Sequence, residues 1–103
     1  MKDDYAHDEW WLATLGRTVI WARLRVLEGG TAEVLDSDGV MQPYDSEDSA
    51  RAALMDAEFV ALDGLDEDDA RDRGFALDEL VPPEGEDADV LRPQMVRQLP
   101  SRH

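Results

Sequence analysis

Cysteine is absent from the 103 residues. That excludes a disulfide framework, a thiol nucleophile and any zinc site built on sulfur, and it fits a reducing compartment. Histidine is scarce. His7 and His103 stand near opposite ends, so no positioned imidazole is expected to serve a nucleophilic triad. No run of about 18 apolar residues occurs, so no membrane-spanning helix is expected. The start, Met1-Lys2-Asp3-Asp4, carries more acid than base and leads into no apolar stretch. A secretory signal has the opposite pattern, so a cytoplasmic location is expected. Lysine occurs once, against nine arginines. A basic footprint is missing, so neither direct nucleic-acid binding nor attachment to an anionic membrane is expected. Gly29-Gly30 lacks the strand–loop–helix setting of a phosphate cradle, and no cofactor is expected.

Acid is what the chain has in excess: 25 Asp and Glu, for a formal net charge of −15. Such a surface favours solubility and attracts basic partners. The acid is concentrated. Residues 46–80 hold twelve acids and three bases, whereas no acid follows Val90. An apolar fraction of 43% is enough for a core, and the length suits a single domain. The expected organisation is a polar arm over 1–9, an acidic domain over 10–83, and a linker with a mobile or peripheral tail over 84–103. Pro82-Pro83 and the run Glu84 to Asp89 mark the last boundary.

Trp10 to Leu15 reads as a short strand. Thr18 to Leu27 is the clearest one, with β-branched and aromatic residues between turn signals. Its alternation puts Ile20, Ala22, Leu24 and Val26 on a core face, and Val19, Trp21, Arg23 and Arg25 on a half-exposed one. Glu28-Gly29-Gly30 predicts a hairpin turn into Thr31 to Asp36. Ser37-Asp38-Gly39 predicts another, into Val40 to Tyr44, which Pro43 places at a sheet edge. Ser46 suits an N-cap for a helix over 47–56, whose Ala50, Ala53, Leu54 and Ala57 share one face. Glu47 and Arg51 are spaced for an ion pair. A short strand is expected within 58–62. Asp66 should cap a second short helix that Gly74 ends. Pro93 is placed to begin a third, with Met95, Val96 and Leu99 on one side. The expected fold is α+β: an antiparallel meander of three or four strands with a helix on one face and a second short helix. Ile20, Leu24, Val26, Val34 and Leu54 are its expected core.

No pattern points to catalysis or to a metal, and no enzyme is expected. Asp36-Ser37-Asp38-Gly39 resembles the opening of a calcium loop, but the glycine is misplaced and Pro43 interrupts, so a hairpin turn accounts for it. Asp66-Glu67-Asp68-Asp69 is accounted for by a helix start. The expectation is a non-enzymatic protein-binding module. An acidic inhibitor, immunity protein or DNA mimic that covers a basic surface is the alternative, and an enzyme of unrecognised type is the second. The candidate partner surface is Glu47, Asp48, Asp66, Glu67, Asp68, Asp69 and Asp72. Mimicry requires these acids to form one continuous strip. Trp10, Trp21, Arg23 and Arg25 form a second candidate contact surface, for a partner or for self-association, because tryptophan and arginine are enriched at interface hot spots.

Overall fold

The computed structural model describes residues 5–100, with side chains from residue 7 onward. The fold is α+β, an antiparallel sheet with helices on both faces. Its strands are β1 (Tyr5–Leu15), β2 (Thr18–Leu27), β3 (Ala32–Leu35), β4 (Met41–Tyr44), β5 (Val60–Ala61) and β6 (Val96–Gln98). Its helices are α1 (Glu47–Asp56), α2 (Glu67–Asp72) and α3 (Ala88–Leu91). The strand order is β4-β3-β2-β1-β5, and β6 pairs with β2. The first four strands form the expected meander. β5 is the short strand expected within 58–62 and pairs with β1, whereas β6 finds a place because β2 is long: β3 takes Arg23 to Val26, and β6 takes Thr18 to Ile20.

Local chemistry accounts for the boundaries. Ser46 accepts the Ser49 amide at 3.1 Å and starts α1 where its cap signal stands. Asp66 and Asp69 cap α2 reciprocally, at 2.8 and 3.3 Å. Gly74, at φ +91°, turns the chain out of α2. The Phe75 amide then reaches back to the Ala70 carbonyl at 2.9 Å, and the Phe75 ring enters the core. The Asp36 carboxylate accepts the amides of Asp38 and Val40 at 2.9 and 3.0 Å. These bonds shape the turn between β3 and β4. β4 is an edge strand, as Pro43 requires.

The core has two halves, one on each sheet face. Trp11, Ala22, Leu24, Val26, Ala32 and Val34 pack under Ala50 and Leu54 of α1. On the other face Leu12, Val19, Trp21 and Leu35 pack with Ala70, Phe75, Leu80, Leu91 and Met95. This corrects the reading of β2 as one-sided. Trp21 is 1% exposed, whereas Ile20 is only half-buried. Both alternating sets of β2 are apolar enough to be buried, and α2 and the later segments cover the second set.

Two further expectations change. Tyr5 to Glu9 belongs to β1 rather than to a separate arm, because β2 is long enough to pair with it up to Leu27. The segment after residue 83 is built in. Leu91 and Met95 are fully buried, and the Trp21 amide donates to the Met95 carbonyl at 2.7 Å. The Gln94 amide side chain closes the acidic loop by bonding Glu84 N–H and C=O at 3.0 and 2.8 Å. Gly85 is required there, since a Cβ would meet Val90 Cγ1 at 2.5 Å. Pro93 lies in a 3-10 turn, Arg92–Gln94, and Val96 is in a strand rather than on a helix. Pairing with β2 overrides the helical spacing.

Candidate functional site

α2 projects from the second sheet face as an acidic ridge. Its Ala70 is buried, which fixes the helix, while Asp66, Glu67, Asp68, Asp69 and Asp72 are exposed. A cleft of about 890 Å³ lies on one side, lined by Glu67, Arg71, Gly74, Phe75, Ala76, Leu77 and Asp78. A second, of about 500 Å³, is lined by Val60, Ala61, Gly64, Leu65, Asp69, Asp72 and Arg73. Each therefore combines two carboxylates and one arginine with apolar side chains. Asp68 pairs with Arg71 at 2.9 Å, both largely exposed.

Five of the seven candidate acids thus meet on α2, and two do not. Glu47 and Asp48 begin α1, and α1 packs on the opposite sheet face. The continuous strip that mimicry requires is not formed, because the sheet separates the two helix starts. The aromatic and arginine set is also divided. Trp21 and Arg23 are buried, at 1% and 5% exposure. Trp10 is half-buried and meets Trp21 edge-on, with centroids 6.1 Å apart. Arg25 holds Asp8 through both oxygens, at 2.8 and 3.0 Å. These residues build the sheet rather than one contact surface. His103 lies outside the described residues.

The most developed polar network was legible in part. The Glu47–Arg51 pair forms. Arg51 also bonds Glu9 of β1, through Nε at 3.4 Å and through a closer contact from Nη2. Trp11 Nε1 donates to Glu9 at 3.1 Å, and His7 Nε2 lies 3.1 Å from it. Burial pushes the Glu9 carboxyl up, but the bonds from Arg51, Trp11 and His7 outweigh this and hold it below its ordinary value. The bond to Glu9 raises Arg51 in turn, against the effect of burial. His7, Glu9 and Glu47 bring ligand atoms within 4.8 Å of one another. The guanidinium of Arg51 bridges the two carboxylates and is the cation of that cluster. No sequence signal marked Glu9, because its partner is 42 residues away.

Arg17 staples the other end of the sheet. It lies over the Phe75 ring at 4.5 Å and bonds Glu79 and the Pro100 carbonyl, each at 3.0 Å. It also contacts the Gly74 carbonyl. Arg73 reaches Thr14 at 3.1 Å. No protein-family model, curated protein or solved structure matches this chain. No helix among the described residues is long and apolar enough to cross a membrane.

Proposed function

We propose that this chain is a non-enzymatic protein-binding module whose partner presents a basic surface to the α2 ridge. The observation that carries the reading is the pair of clefts flanking α2, each lined by two carboxylates and by apolar side chains, with one arginine at its edge of the helix, Arg71 held by Asp68 and Arg73 by Thr14. A lysine or arginine fits such a cleft, since its stem packs on apolar surface while its charge meets carboxylate. The placement of the arginines supports the same reading. Arg17, Arg25, Arg51 and Arg73 are tied to groups of the protein itself and Arg23 is buried. Much of the positive charge is thereby drawn inward, while the acids of α2 stay exposed. The division of Glu47 and Asp48 from the α2 acids favours a local ridge over a phosphate-like strip. An inhibitor or immunity role remains within this reading, with α2 as the contact.

An arginine-rich peptide titrated into the labelled chain and followed by amide chemical shifts tests the proposal. Shifts should centre on Glu67, Phe75, Leu77 and Asp78, and on Leu65, Asp69 and Asp72. Binding should weaken as salt screens the exposed charges. Asp72→Asn and Asp78→Asn should weaken it further. Shifts spread evenly over all exposed acids, or centred on Asp45, Asp48 and Asp56, would refute the assignment.

A further inference from the structure

The sheet face that carries α1 is covered at one end only. A ten-residue helix spans about 15 Å, whereas an 11-residue strand spans about 37 Å. α1 covers Trp11, Ala22, Leu24, Val26 and Val34. Toward the Gly16-Arg17 turn the same face continues without a helix. Alternation from Trp11 places Ala13 and Leu15 on it. The register then sets Thr18 opposite Leu15, Ile20 opposite Ala13, and Gln98 and Val96 beside Thr18 and Ile20. None of these six residues is charged. Leu15 is 77% exposed and Val96 51%.

The distribution of acid indicates what can approach this patch. Residues 10–27 contain no Asp or Glu in a chain of 25 acids, and neither do residues 90–103. Those two segments supply the whole patch. Among the described residues, Arg17 and Arg73 at this end turn to the opposite face, Arg17 onto Phe75 and Arg73 onto Thr14. The six patch residues themselves offer no carboxylate to a basic partner. Two copies of a chain with net charge −15 repel wherever their acidic surfaces meet, and here they need not meet. An uncharged apolar patch is its own complement under two-fold symmetry.

We propose that this bare end of the sheet is a self-association surface, on which two copies stack about a two-fold axis with Leu15 and Val96 at the centre. The inference uses a different surface from the α2 ridge and stands apart from that reading. Six side chains make a patch smaller than the roughly 800 Å² per partner of a standard interface. A weak, reversible dimer is therefore expected.

Sedimentation equilibrium of the full chain over a wide concentration range tests this. Raising ionic strength from about 0.01 M to about 1 M shortens the screening length from about 30 Å to about 3 Å. Because like charges are being screened, association should strengthen with salt. Leu15→Asp should lower the association constant about tenfold or more, since it places charge in a dry contact. Val96→Thr should lower it by less. In the unmodified chain, concentration-dependent amide shifts should be confined to Ala13, Leu15, Thr18, Ile20, Val96 and their neighbours. A chain that stays monomeric at high concentration and high salt would overturn the proposal. So would an association that weakens with salt, ignores Leu15→Asp, or shifts a different surface.

Discussion

Leu91 tests how far the C-terminal segment belongs to the fold. Its side chain is fully buried among Leu12, Trp21, Leu35, Phe75 and Met95. Leu91→Ala removes the apolar contacts and leaves a cavity between the sheet and the last segment. A substitution of this kind costs about 2–5 kcal/mol. For a domain of this size each kcal/mol lowers the melting temperature by about 4–8 °C, so a drop of roughly 8–40 °C is expected. Ending the chain after Pro83 is more severe. It removes Leu91, Met95, the pairing of β6 with β2, and the carbonyl that accepts the Trp21 amide. Two buried side chains at that cost rival the whole stability of a typical domain, about 5–15 kcal/mol. The truncated chain should lose cooperative unfolding, as read by circular dichroism and tryptophan fluorescence against temperature and urea. A cooperative transition with an unchanged midpoint would refute the account and return the segment to a peripheral role.

Glu9 should make stability depend on acid. Burial raises its carboxyl, but hydrogen bonds from Arg51, Trp11 and His7 prevail and hold it low. Its contribution is therefore present above the unfolded value of about 4.3 and is lost as pH falls through the lower folded value. Urea melts of the parent and Glu9→Gln should differ most near neutrality and converge in acid; a constant difference would show that the carboxylate charge contributes nothing. Trp21→Ala should cost about 3–5 kcal/mol, more than Trp10→Ala, because Trp21 is enclosed and Trp10 is half-buried. Equal, small losses in thermal melts would mean that the second sheet face is open.

Short-range chemistry was legible in the residues themselves. Ser46 and Asp66 fall at the helix starts, Gly74 ends α2, and Pro43 lies in an edge strand. The β1–β2 hairpin, the α+β class and four of the five expected core residues follow from the same patterns. These features depend on neighbours within a few residues, so local propensity and alternation decide them. Tertiary structure decided the rest. Trp21 is an inward residue only because α2 and the 91–95 segment cover a second face, and nothing near position 21 encodes that cover. Val96 follows a helical spacing yet pairs with Ile20, since an open stretch of β2 edge offers it backbone hydrogen bonds. The acids of α1 and α2 read as one cluster along the chain, but the sheet between them separates Glu47 and Asp48 from Asp66 to Asp72. Glu9 acquires its partner from α1 across 42 residues of sequence. Each of these depends on which long-range surfaces meet, and that is settled by burial over the whole molecule rather than by any local pattern.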